Sequence, residues 1–123
     1  MPNISIEYSS NINGVDFRSL LTQIHSLLVE HCDAKLMACK GTIECADNFL
    51  IGDGSNPEQA FVLIHIALLS GRTDEQKERL QKALGELATQ KLSTAPGSQA
   101  ITCQVRLKLE ELTRDKQYFF LAN

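Results

Sequence analysis

Ala60-Phe61-Val62-Leu63-Ile64-His65-Ile66-Ala67-Leu68-Leu69-Ser70-Gly71-Arg72-Thr73-Asp74-Glu75-Gln76 is the stretch on which the fold turns. From Ala60 to Leu69 nearly every position is apolar. Phe61, Leu63 and Ala67 would lie on one side of a strand, with Val62, Ile64, Ile66 and Leu68 on the other. Strands of this kind are covered on both faces. Gly71-Arg72 breaks the run, and Thr73 followed three residues later by Gln76 is a capping box that opens a helix. Leu80, Leu84, Leu87 and Ala88 supply the apolar stripe of that helix. Its interior Gly85 costs about 1 kcal/mol against Ala, and reads as a point of close approach to a sheet. Ala95-Pro96-Gly97-Ser98 forms the exit. Ile101, Cys103, Val105, Leu107 and Leu109 then alternate with polar residues, as in a half-buried strand.

The first half of the chain has the same order. Ile4, Ile6 and Tyr8 alternate with Ser5 and Glu7, and Asn11 to Gly14 breaks the pattern. Asp16 is placed to cap a helix whose stripe is Phe17, Leu20, Leu21, Ile24, Leu27 and Leu28. That helix runs out near Cys32-Asp33. A strand follows over Gly41 to Asp47, and Gly52-Asp53-Gly54-Ser55-Asn56-Pro57 is a turn cluster. Thr73 stands 57 positions after Asp16. The pattern is a duplicated βαβ unit of the α+β class, a single domain over residues 1–123. Crossovers between parallel strands are right-handed, so both helices fall on one face of a four-stranded mixed sheet. The other face is left bare. Because strand Ala60–Leu69 needs cover on both sides, a second subunit is the expected cover. A local patch beneath Tyr118-Phe119-Phe120-Leu121 is the alternative.

A chain of 123 residues, 43% hydrophobic and 22% charged, has the makeup of a globular domain with a real core. A formal charge of −3 and a pI near 5.6 argue against a nucleic-acid partner. The N-terminus lacks a basic stretch followed by a long apolar run, so no secretory signal is expected. The longest apolar run contains His65 and is too short to span a bilayer. Cys32, Cys39, Cys45 and Cys103 show no paired spacing, which fits a reduced, cytoplasmic setting.

The chain opens Met1-Pro2-Asn3-Ile4-Ser5-Ile6-Glu7-Tyr8. With Met1 removed, the first strand would carry a free secondary amine at its tip. A free α-amino group titrates at roughly 7.7–8.0, close to what a general base needs. The plainer reading is that Pro is welcome at the first residue of a strand because no ladder donor is lost.

Pro after the initiator Met, an immediate strand and a duplicated βαβ together resemble the tautomerase superfamily, and most closely the 5-carboxymethyl-2-hydroxymuconate isomerase family. Residues Met1 to Ile12 and Ala60-Phe61-Val62 through Ser70-Gly71-Arg72 carry the likeness, with Asp47-Asn48-Phe49 and Gly52-Asp53-Gly54 at a similar turn. The resemblance implies a homotrimer with sites between subunits and an amino-terminal proline as proton carrier. It also implies basic residues on the substrate carboxylates, and neither metal nor organic cofactor. The proline falls on Pro2, and an arginine after the third strand falls on Arg72. A second arginine falls on Lys40 across a gap. A Lys there keeps the charge but loses the planar two-pronged grip on a carboxylate. Phe49 is the candidate for an apolar wall. The implied reaction is ketonisation of a 2-hydroxymuconate-type dienol carrying several carboxylates, such as 5-carboxymethyl-2-hydroxymuconate in aromatic-compound (homoprotocatechuate) degradation. Nearby cations and an apolar wall would disfavour the protonated amine and steady the enolate oxygen.

Two other classes compete. A non-catalytic ferredoxin-like ligand-binding or assembly module shares this topology, because fold alone does not set function. A tautomerase for a smaller keto acid is another rival. His31, Cys32, Cys39 and Cys45 could be read as a metal cluster, but they lack the close paired spacing of metal sites. His25 and His31 are expected to pack beside the first helix stripe or face water. His65 reads as a satisfied core histidine.

Overall fold

In the computed structural model, which describes residues 2–96 and 101–122, the order is β1 (Asn3–Ser9), α1 (Phe17–Cys32), β2 (Lys40–Ala46), β3 (Gln59–Leu69), α2 (Asp74–Ser93) and β4 (Thr102–Leu112). Single 3-10 turns occupy Leu36–Ala38 and Arg114–Lys116. The four strands form one sheet in the order β2-β1-β3-β4. β1 runs parallel to β2, with Ile6 beside Ile43. β3 runs parallel to β4, with Ile64 beside Leu107. The two βαβ units meet through the antiparallel β1–β3 pair, with Ile6 opposite Ile64. The expected duplicated architecture is the one observed; Gly97 and Ser98 of the expected exit lie outside the described residues.

Both helices begin where their caps direct. The Asp16 carboxylate accepts the Ser19 N–H at 3.0 Å. The capping box at Thr73 closes in both directions, through the Gln76 N–H to the Thr73 hydroxyl and the Thr73 N–H to the Gln76 side chain. Caps of this kind each contribute about 1 kcal/mol. α1 stops at Asp33, which adopts a left-handed backbone with φ 54°.

Phe17, Leu20, Ile24 and Leu28 of α1 and Leu80, Leu84 and Ala88 of α2 are buried against Ile4, Ile6, Val62, Ile64, Ile66 and Leu68 of the sheet. Each large side chain so buried contributes about 1.5–3 kcal/mol. Tyr8 closes one end of this layer by stacking on Phe17, ring centroids 3.9 Å apart. Close helix–sheet approach occurs at Gly41, where a Cβ would come within 2.6 Å of the Leu21 side chain. It does not occur at Gly85, which has open space where a Cβ would stand. The reading of Gly85 as a packing glycine is therefore corrected. An internal glycine on a solvent-side helix position carries no such information.

The opposite face of the sheet is bare, as expected. Leu63 is 38% exposed there, between Glu7 of β1 and Arg106 of β4. The C-terminal segment does not cover it. Tyr118, Phe119, Phe120 and Leu121 are 66–86% exposed. His65 corrects another expectation, because it sits half-exposed on this bare face rather than in the core. Its Nε2 lies 2.7 Å from a Glu110 carboxylate oxygen, so a neighbouring strand satisfies it instead of the interior. His25 and His31 are half-buried on or beside the α1 stripe. Among the described residues, no group of three or more His, Cys, Asp or Glu side chains comes together in a metal-binding arrangement. Among them, too, no helix is long and apolar enough to cross a membrane.

Candidate active site at the Pro2 end of the sheet

Strand directions decide which ends meet. β1 and β2 begin at one end of the sheet, and β3 and β4 finish there. Pro2, immediately before β1, is buried, and its carbonyl accepts the Lys40 N–H at 3.1 Å. This bond joins the start of β1 to the start of β2, and Pro2 loses no ladder donor at that tip. Two of the residues singled out from sequence, Pro2 and Lys40, are thus neighbours.

A cleft of about 540 Å³ opens at this end, lined by Lys35, Met37, Ala38, Lys40, Leu69, Arg114, Gln117, Tyr118 and Phe119. Its size suits a small organic ligand. Among the described residues that line it are three cationic side chains, two aromatic rings and no carboxylate. Among the described residues, Lys35, Lys40 and Arg114 take part in no ion pair. Unneutralised cations beside an apolar wall produce a positive local potential that draws in anions. Lys40 Nζ donates to the Ala38 carbonyl at 3.2 Å, and Arg114 Nε donates to the Ser70 carbonyl at 3.0 Å.

Arg72 and Phe49 are placed differently. Arg72 Nε donates to the Cys32 carbonyl and Nη1 to the Leu69 carbonyl, each at 3.1 Å. The half-buried Arg72 ties the last turn of α1 to the end of β3, and it is not among the residues that line the cleft. Arg72→Ala removes two charge-assisted hydrogen bonds and is expected to cost about 2 kcal/mol of stability, read by urea unfolding. A change below about 0.5 kcal/mol would show that the latch contributes little. Phe49 follows β2, so it lies at the far end of the sheet, packed edge-on against Phe61 at 5.8 Å. The seven residues of β1 separate it from Pro2 by about 20 Å within one protomer.

The thiols near this end are not activated. Burial pushes the Cys39 thiol up, and burial pushes Cys32 up against an opposing pull from Arg72. Both stay protonated near neutral pH, which leaves no thiolate nucleophile beside the cleft. Lys35 and Arg114 escaped the sequence reading. Arg114 had one available signal. It stands two positions after a strand parallel to β3, and so at the same end as Arg72.

Solved structures with this fold include a 5-carboxymethyl-2-hydroxymuconate isomerase from Deinococcus radiodurans R1, with a TM-score of 0.87 and 18% identity, covering 97% of this chain and 88% of that one. A 5-carboxymethyl-2-hydroxymuconate delta-isomerase matches with a TM-score of 0.73 and 16% identity, over 100% and 89% of the two chains. A fused 4-OT wild type symmetric trimer matches with a TM-score of 0.70 and 19% identity, over 94% and 89%. No curated protein sequence matches the chain. The paired βαβ units, with Pro2 at the tip of β1, place the protein in the tautomerase fold. The family model described as 5-carboxymethyl-2-hydroxymuconate isomerase matches residues 2–119. The chain belongs to that family, and it is an isomerase.

Proposed function

We propose that the protein ketonises a 2-hydroxymuconate-type dienol bearing several carboxylates, with the Pro2 nitrogen as proton carrier once Met1 has been removed. The observation that carries this reading is the cleft of Lys35, Lys40 and Arg114, with no carboxylate among its described lining residues, beside a proline bonded to Lys40. In the proposed step the neutral amine takes the proton of the enol hydroxyl, so the O–H bond breaks and a dienolate forms. The ammonium then returns a proton to the distant carbon of the conjugated system. A C–H bond forms, the carbonyl is restored and the amine is again neutral. No electrons leave the substrate, so no oxidant or cofactor is required.

The same cations do three jobs. They hold the substrate carboxylates, and they disfavour the ammonium form of Pro2. They also stabilise the dienolate oxygen in a partly desolvated site. Met37, Leu69, Tyr118 and Phe119 provide the apolar wall in place of Phe49. Phe49 would reach a cleft only if a neighbouring copy of the chain brought it there. Arg72 supports the site by fixing the carbonyl of Leu69.

A homotrimer fits the bare sheet face and the two open edges, β2 and β4, which are surfaces that isolated domains must protect. The symmetric trimer among the similar structures supports that assembly. A cytoplasmic location fits four free cysteines. The test is an ultraviolet assay of dienol ketonisation on protein whose intact mass shows Met1 absent. No acceleration over buffer for any dienol with two or more carboxylates would overturn the reading.

A further inference from the structure

We propose that Arg114 supplies the two-pronged carboxylate grip that Lys40 cannot, and makes the cleft selective for dienes with a second carboxylate. This deepens the function proposed above and rests on it for the identity of the ligand. Arg114 lies on the 3-10 turn after β4. Leu112 pairs with Leu69 in the last β3–β4 register position, and the Ser70 N–H donates to the Leu112 carbonyl at 2.9 Å. The turns leaving both strands are therefore held together at the mouth of the cleft.

Within that mouth the guanidinium is fixed on one edge only. Its Nε is spent on the Ser70 carbonyl. It lies beside the Gly71 turn, where a Cβ would stand 3.7 Å from Nη2 and 3.9 Å from Nε. Gly71 has φ +120°, a backbone that side-chain-bearing residues rarely adopt. Neither terminal nitrogen has a protein acceptor among the described residues. The remaining edge offers two parallel N–H donors, the geometry that matches a carboxylate. Lys40 offers a point charge on a flexible stem, without that directional match. One end of a dicarboxylate would then meet Lys40 near Pro2, and the other would meet Arg114.

Binding probes that do not react separate this idea from the chemistry. Hexa-2,4-dienedioate and hexa-2,4-dienoate differ in one terminal carboxylate, and titration calorimetry on the trimmed protein measures both. The wild type is expected to prefer the diacid. Arg114→Ala is expected to weaken diacid binding by about 10–100-fold and to leave the monoacid within about 3-fold. Arg114→Lys should fall between, because charge is kept and the fork is lost. On a reacting dicarboxylate dienol, Arg114→Ala should raise KM by a larger factor than it lowers kcat, the mark of a residue that acts mainly through binding made equally in ground and transition states. An unchanged diacid-to-monoacid ratio in Arg114→Ala overturns the proposal. So does an equal loss for both acids, which would mean that Arg114 only holds the turn. A protein that binds the acids as expected but turns over no dienol would overturn the catalytic reading and leave Arg114 in place.

Discussion

Pro2→Ala is expected to slow ketonisation of a dicarboxylate dienol by about 10²–10⁴-fold, the range that a positioned acid or base contributes. The fold should survive, since the substitution lies outside β1 and only the Pro2 carbonyl is used in the Lys40 bond. Alanine leaves a primary amine on the trimmed chain, so a base remains. What is lost is the buried ring that holds the nitrogen at one place on the strand tip. A form that retains Met1 is a sharper test. Its Pro2 nitrogen is an amide with no basic lone pair, and turnover should fall to the buffer rate. The pH profile has a defined sign. The neutral amine is the working form, so kcat/KM should fall as pH drops through its ionisation, and Pro2→Ala should move that limb. Undiminished turnover in Pro2→Ala, or full activity with Met1 attached, would remove the nitrogen from the mechanism.

The parts of the molecule written in local pattern were legible, and those set by strand direction were less so. Asp16, Thr73 and Gln76 announced both helices, because a cap acts on backbone groups two or three residues away. The doubly apolar Ala60–Leu69 run announced a strand that needs cover on both faces, and the structure places it between β1 and β4. Pro2 and Lys40 met as the duplicated unit requires, since parallel strands start at one end. The same parallel pairing carries Phe49 to the other end, a consequence already implicit in the βαβ reading. Arg72 was visible as a charge at the right place in the chain. Its use as a latch depends on two carbonyls, at Cys32 and Leu69, that become neighbours only when α1 and β3 dock. Arg114 belongs to a three-residue turn with no periodicity to mark it. Its site emerges from the Leu69–Leu112 register alone.

Leu63→Glu is expected to leave the protomer folded and to abolish self-association. Leu63 is partly solvated in the isolated protomer, so a polar replacement there should change stability by no more than about 0.5 kcal/mol. In the proposed trimer the same position is covered by other copies, and the substitution would bury three carboxylates. Glu7 stands opposite in the β1–β3 register, adding a like charge that Arg106 on the β4 side offsets only in part. Several kcal/mol per buried ion then oppose assembly, more than a small interface can absorb. Sedimentation should find the 13.6 kDa protomer with an unchanged far-ultraviolet circular dichroism spectrum. A variant that still sediments as a trimer would show that the bare face is not the contact. Turnover of the dissociated variant locates the site. Activity lost with assembly means that neighbouring copies complete the cleft, as Phe49 would require. Activity kept by the monomer means that Lys35, Lys40 and Arg114 beside Pro2 are sufficient in one chain.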